Sequence, residues 1–285
     1  MLVEQMATVK LIADSGATKT EWCLIEGAKK RTLLTAGISP YFLSTADIVS
    51  LLQQELIPRL RKAKIQEVFY YGTGCANPNN VKIVRKALQL LFPSANIEVT
   101  HDLMGAARAL CGRDKGIACI LGTGSNSCYF NGKKITRNSP GLGYVLGDEG
   151  SGAYLGRKVI QYYLYGIFDE ELRGRFDLSF TTTPSEILEN VYKKPLPNRY
   201  LASFTLFLAE NRGHYMIENI LEDGLNDFFF QHLCRYPEVW KYPLHFTGGV
   251  AYVFRDVVKQ LCGHYEFELG TILRNPMQGL IKFHT

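Results

Sequence analysis

Short apolar runs broken by turn-forming residues open the chain, helical spacing follows, and the cycle then repeats. Val9–Ala13 is an apolar run ending in Asp14-Ser15-Gly16-Ala17-Thr18, a cluster of turn chemistry. Glu21–Glu26 and Arg31–Ala36 predict two further strands joined at Gly27. Ser44 and Asp47 have capping-box spacing ahead of a helix through Ile48, Leu51, Leu52 and Leu56, which Pro58 ends or kinks. Strand Glu67–Tyr71 runs into Gly72-Thr73-Gly74, and a helix follows with Val81, Val84, Leu88 and Leu91 on one face. Strand Asn96–Thr100 stops at His101-Asp102, where helix Met104–Leu110 begins. Three hairpin-type strands followed by αβαβα predict an α/β fold with a mixed sheet covered by helices, not a simple doubly wound sheet.

The opening then recurs. Ile12–Thr18 aligns with Ile120–Asn126 at a constant offset, each a strand, a small-residue turn and a second strand. One repeat at this spacing predicts a duplicated domain, with residues 1–114 forming the first copy and 115–285 the second. The second copy carries a Tyr-rich stretch of helical periodicity at about 152–211, ahead of strand Leu244–Phe246 and the turn Thr247-Gly248-Gly249. Two such domains facing one another predict a ligand cleft between them.

Composition narrows the classes. The chain has 285 residues, 46% of them hydrophobic, which is enough for one large or two smaller cores. The net charge of +5 is scattered, without the basic stripe of a nucleic-acid binder. No apolar run reaches bilayer length, and Met1–Met6 lacks the basic-then-apolar order of a signal peptide. Seven cysteines without a CxxC pair predict buried reduced thiols in a cytoplasmic protein.

Several segments carry chemistry. In Asp14–Thr20 a tight turn lets backbone N–H groups approach an anion, while Thr18 and Thr20 add hydroxyls and Lys19 adds charge. A carboxylate at that strand end suits hydrated Mg²⁺. A plain hairpin turn would use the same residues, but the copy at Gly122-Thr123-Gly124-Ser125-Asn126 favours anion binding. Neither segment is a P-loop. Asp102 lies between a strand and a helix, where it could act as a general base or simply cap the helix, and His101 reads as its hydrogen-bonded structural neighbour. Gly141–Gly152 is glycine-rich and holds Asp148-Glu149 at its centre, a combination that points to ligand contact.

Together these segments resemble the sugar kinase/Hsp70/actin superfamily, and more closely the BadF/BadG-type ATPases that include N-acetylglucosamine kinase. Leu146-Gly147-Asp148-Glu149-Gly150-Ser151-Gly152 is similar to that family's LGDEGSG signature, and Tyr192–Phe204 to its interior helical segment. The resemblance implies two RNase H-like domains with nucleotide and sugar in the interdomain cleft. It implies transfer of the γ-phosphoryl of ATP to a sugar hydroxyl, with ATP and Mg²⁺ required and a homodimer as the assembly. Asp102 matches the catalytic base and also touches the sugar, and Asp14 matches the acid nearest Mg²⁺, through water. Gly16, Ala17, Thr18, Lys19 and Thr20 match the first phosphate hairpin, and Gly122, Thr123, Gly124 and Ser125 the second. Gly248 and Gly249 match the adenosine motif. Ser39, Asn126, Gly143 and Asp148 match positions on the sugar side.

Three departures bear on the sugar. Leu142 stands where a Trp is common, Ser39 where an Asn is common, and Asp14-Ser15-Gly16 replaces Asp-Gly-Gly. N-acetylglucosamine, related amino sugars and muropeptide-derived sugars therefore all stay open as acceptors. Two other readings share the superfamily: an iron–sulfur ATPase activator of a radical acyl-CoA dehydratase or reductase, and a sugar sensor that has lost turnover.

Overall fold

The computed structural model describes residues 8–16, 18–61 and 63–285. The chain divides into unit 1, Met1–Gly112 with Pro276–Thr285, and unit 2, Arg113–Asn275.

Unit 1 is built on a five-stranded sheet in the order β3-β2-β1-β4-β5. Strands β1 (Lys10–Ser15), β2 (Lys19–Glu26) and β3 (Lys29–Ala36) form an antiparallel meander, while β4 (Glu67–Gly72) and β5 (Asn96–His101) run parallel to β1. Both faces of β1 are covered, so its interior reads as a continuous apolar run. Leu11 and Ala13 join one core with Trp22, Val68 and Tyr70, whereas Ile12 faces a second core with Cys23, Ile25 and Tyr71.

Helix α1 (Thr45–Glu55) begins at the expected capping box, in which the Ser44 hydroxyl accepts from the Asp47 amide and the Asp47 carboxylate accepts from the Ser44 amide. Pro58 opens the 3-10 turn Ile57–Leu60 that follows. Helices α2 (Pro78–Leu91) and α3 (Asp102–Cys111) complete the series.

The second sheet repeats the arrangement in the order β10-β9-β6-β7-β8. Here β6 (Lys115–Leu121), β7 (Ser125–Asn131) and β8 (Ile135–Ser139) form the meander, and β9 (Leu244–Thr247) and β10 (Leu269–Leu273) run parallel to β6. The edge strand β8 is largely solvent-facing and carries no apolar pattern from which the sequence could predict it, while β10 (LGTIL) is short and only half-buried.

Three expectations need correction. The helical insertion runs past residue 211, since helix Tyr215–Phe228, a π turn at Phe229–Leu233 and a 3-10 turn at Pro237–Trp240 all precede β9. The helix Met277–His284 belongs to unit 1, where the second domain had been expected to run to residue 285. Met277, Leu280 and Ile281 form an apolar stripe that covers the face carrying Ile12, Cys23, Ile25 and Tyr71. The constant offset between the two hairpins also fails beyond the turn. The first closes on Ser15–Thr20, the second on Leu121–Ser125, so Ser125 and Asn126 are strand residues and not turn residues.

Six cysteines are buried and Cys234 is half-buried. Among the described residues, no helix is long and apolar enough to cross a membrane.

Candidate functional site

In unit 1 the strands β1, β4 and β5 are neighbours and parallel, so their C-terminal ends line one edge of the sheet. Asp14 stands near the end of β1, opposite Glu21 on β2 and Tyr71 on β4. Asp102 follows β5 directly as the first residue of α3. Its Oδ1 accepts from the Leu103 amide at 2.8 Å, which fixes the carboxyl at the helix start.

Asp14 feels the charge of Asp102. Burial, then the charge of Asp102, then that of Glu21 push the Asp14 carboxyl up to about 7, against the pull of Lys19. Burial also pushes Asp102 up, against the Leu103 amide and His101. The His101 ring makes no hydrogen bond among the described residues, contrary to expectation, and burial lowers its pKa. Two partly buried carboxylates, one of them repelled by the other's charge, are a donor set that a cation would relieve. Among the described residues no cluster of three His, Cys, Asp or Glu could hold a metal. That set fits Mg²⁺, which binds through one or two carboxylates and fills its remaining positions with water and phosphate oxygens.

The β1–β2 turn is pinned by Gly16 N–H donating to the Lys19 carbonyl at 3.0 Å. Gly16, Thr18 and Lys19 are exposed, and Ala17 lies outside the described residues. Thr20 departs from the expected ligand role. It is fully buried, and its hydroxyl lies 2.8 Å from Ser15 Oγ and donates to the Ala36 carbonyl at 3.3 Å. Its hydroxyl holds the hairpin together. Ser39 is buried, with its carbonyl accepting from the Phe42 and Leu43 amides.

In unit 2 the turn Gly122-Thr123-Gly124 is tied to the start of helix Gly152–Leu164. Gly152 N–H donates to the Gly122 carbonyl at 2.8 Å and Ala153 N–H to the Thr123 carbonyl at 3.0 Å. The Cβ position of Gly122 has nothing within 4 Å, leaving the backbone approachable. Gly124 and Gly141 both lie against the Asp148 carboxyl, with Asp148 Oδ1 3.3 Å from the Cβ position of Gly141.

Asp148 is itself buried in a left-handed conformation, φ +56°. Burial and the neighbouring Glu149 raise its pKa, while the Ser125 and Gly143 amides and His232 draw it down. The glycines around it thus make room for a carboxyl set into a backbone pocket.

Gly248 has a structural reason of its own. Its φ is +122°, and a Cβ there would fall on the Leu121 carbonyl oxygen. Its amide donates to the Leu273 carbonyl at 3.1 Å, joining β9, β10 and β6 at this point. Gly249 starts helix Gly249–Val253 and faces open space. Asn126 is only half available, since its Oδ1 accepts from Asn138 Nδ2 and the Ser127 amide, each at 2.9 Å.

The structure thus groups Asp14, Asp102 and the first hairpin in unit 1, and the second hairpin, Gly141, Gly143, Asp148 and Gly248 in unit 2. Sequence reasoning missed His232, whose Nε2 lies 3.0 Å from Glu149 Oε2 across 83 positions of sequence. The acidic pair in the glycine-rich loop was the one available signal of such a partner.

No family model matches the chain. The solved structure of a candidate N-acetylglucosamine kinase from Porphyromonas gingivalis is 41% identical and superposes with a TM-score of 0.92, covering 96% of this chain and 98% of that one. The N-acetylmuramic acid/N-acetylglucosamine kinase of Clostridium acetobutylicum is 28% identical over 168 residues, so the match spans 55% of this chain and about half, 54%, of that protein. MreB 5 of Spiroplasma citri bound to AMPPNP is 10% identical with a TM-score of 0.59, covering 98% of this chain and 95% of that one, a likeness of fold alone.

Proposed function

Because this chain belongs to the N-acetylglucosamine kinase-like sugar kinases of the actin-like ATPase superfamily, we propose that it transfers the γ-phosphoryl of ATP to the 6-hydroxyl of an amino sugar of the N-acetylglucosamine type. Within the superfamily we place it with the BadF/BadG-type ATPases, acting in the cytoplasm as a homodimer.

The observation that carries this reading is the electrostatic pairing of Asp14 with Asp102 at the C-terminal edge of β1 and β5. Phosphoryl transfer asks the protein for positioning, charge neutralisation and a base, with little covalent chemistry. Asp102 accepts the proton of the attacking hydroxyl as general base. Its raised pKa suits a group that must take a proton during turnover. Through water Asp14 would hold Mg²⁺, which would supply charge neutralisation at the phosphates. Gly16, Thr18 and Lys19 offer exposed backbone and the Lys19 charge to the phosphates, and half-buried Gly122 and Gly124 with exposed Thr123 offer backbone on the second hairpin. Gly248 and Gly249 flank the adenosine. Asp148, with Gly143 and Asn126, accepts from the sugar hydroxyls.

The test is a coupled ADP-release assay with Mg·ATP over N-acetylglucosamine, glucosamine, N-acetylmannosamine, N-acetylmuramic acid and glucose. We expect one amino sugar to stimulate release strongly. A flat response from folded protein that binds ATP would overturn the kinase reading in favour of the sensor or the iron–sulfur activator.

A further inference from the structure

We infer that His232 is a positioning residue for the sugar-binding carboxylate, gripping Glu149 from a π turn behind the Asp148-Glu149-Gly150 turn and so fixing where Asp148 points. The inference rests on the proposed role of Asp148 as a sugar contact.

The turn needs outside support. Asp148 has φ +56°, which a residue with a Cβ adopts only when its surroundings enforce it. Gly150 follows with φ +69°, and a Cβ on it would come within 2.8 Å of Phe228 Cβ and 3.4 Å of the Gly224 carbonyl. The turn therefore lies flush on helix Tyr215–Phe228.

That helix then widens. Cys234 N–H donates to the Phe229 carbonyl at 3.0 Å, five residues back, which is the π pattern and often marks a functional position. The wide turn carries His232, whose ring stacks on Phe228 at 4.8 Å and is buried. Its Nε2 donates to Glu149 Oε2 at 3.0 Å. Its Nδ1 is buried without a hydrogen-bond partner among the described residues.

An apolar residue would fill this space without that unmet polar atom. The imidazole retains one polar tie, and that tie ends on the residue beside Asp148. Ser151, on the other side of the turn, donates its N–H to the Asp148 carbonyl at 3.0 Å, and its Oγ accepts from Tyr154 N–H at 3.2 Å. Asp148 is thus held on its C-terminal side by two ties.

The experiment uses steady-state kinetics with the sugar that stimulates ADP release most strongly. His232→Leu should lower kcat/KM for that sugar by roughly 10- to 100-fold, the cost of a small misplacement of a binding group. KM for Mg·ATP should stay within about twofold, a split that a general loss of stability would not produce. His232→Gln, whose amide N–H can reach Glu149, should recover most of the loss. Glu149→Ala, which removes the acceptor altogether, should reproduce it, and the double variant His232→Leu/Glu149→Ala should be no worse than either single change.

Sugar kinetics within twofold of the starting protein in both His232→Leu and Glu149→Ala would overturn the inference, as would parallel losses for sugar and ATP. Should His232→Leu fail to fold, Glu149→Ala, on a half-buried side chain, decides alone. Asp148→Asn separates the two levels. If it leaves sugar kinetics intact, the reading of Asp148 is wrong. If it impairs them while the Glu149 and His232 variants are normal, only the positioning role fails.

Discussion

Oδ2 of Asp148 lies 2.9 Å from the position that a Cβ would occupy on Gly124, so the carboxyl rests directly on the backbone of the β6–β7 turn. Gly124 is therefore glycine for the sake of Asp148, since its own φ does not demand it. Gly124→Ala should push the carboxyl aside and lower kcat/KM for the sugar by about 10-fold or more, while the melting temperature changes little. Steady-state kinetics beside a thermal melt check both halves, and unchanged sugar kinetics would contradict the assignment.

Asp102→Asn removes the proposed base while keeping its shape. The expected loss in kcat is at least about 10²-fold, with Mg·ATP affinity nearly intact. Losing the Asp102 charge should also bring the Asp14 carboxyl down from about 7, because repulsion by Asp102 is the second-largest cause of its shift after burial. An NMR titration of Asp14 in the variant reads this directly. Retained turnover would sink the base assignment.

Gly248→Ala tests a different sort of glycine. The positive φ and the Leu121 carbonyl both exclude a side chain. A misfit of this kind costs about 1–3 kcal/mol for the backbone conformation alone. We expect a clear fall in urea midpoint as well as lost nucleotide affinity. A variant as stable as the parent would show that β9 can shift there.

These two glycines also mark how far the sequence could be read. The succession of strands and helices in unit 1 was legible because each buried strand is an apolar run and each turn is punctuated by Gly, Asp or Ser. The three segments around Asp14, Gly122 and Asp148 were legible because backbone-rich turns beside acids are uncommon in bland loops. What stayed hidden depends on contacts distant in sequence. Thr20 reads as a phosphate ligand until its hydroxyl is seen bound to Ser15 and Ala36. Asn126 reads as part of a turn until the shorter second hairpin places it in β7. His232 lies in a π turn, which no periodicity announces.

His284 gives a pH dependence with a definite sign. Burial, with Arg108 and Lys10 nearby, lowers its pKa from 6.5 to about 4, and its Nε2 lies 2.7 Å from the Tyr71 hydroxyl. A base whose folded pKa is depressed contributes its full stability above the unfolded value. Below that, the unfolded chain takes up a proton that the folded chain refuses. Stability should therefore decline as pH falls from about 6.5 to about 4. His284→Gln should flatten that part of the curve, measured as melting temperature against pH for both proteins. Identical slopes would mean that His284 titrates normally.

Helix Met277–His284 fills the core of unit 1 after the chain has already traversed the whole of unit 2. During synthesis, the sheet face carrying Ile12, Cys23, Ile25 and Tyr71 is made early and is covered only in part, by α3, while residues 113–275 emerge. Unit 2 has every strand of its sheet in hand before unit 1 receives its covering helix. The order of completion on the ribosome is then the reverse of the order of translation, and the early unit waits with part of an apolar face open to chaperones or to misassociation.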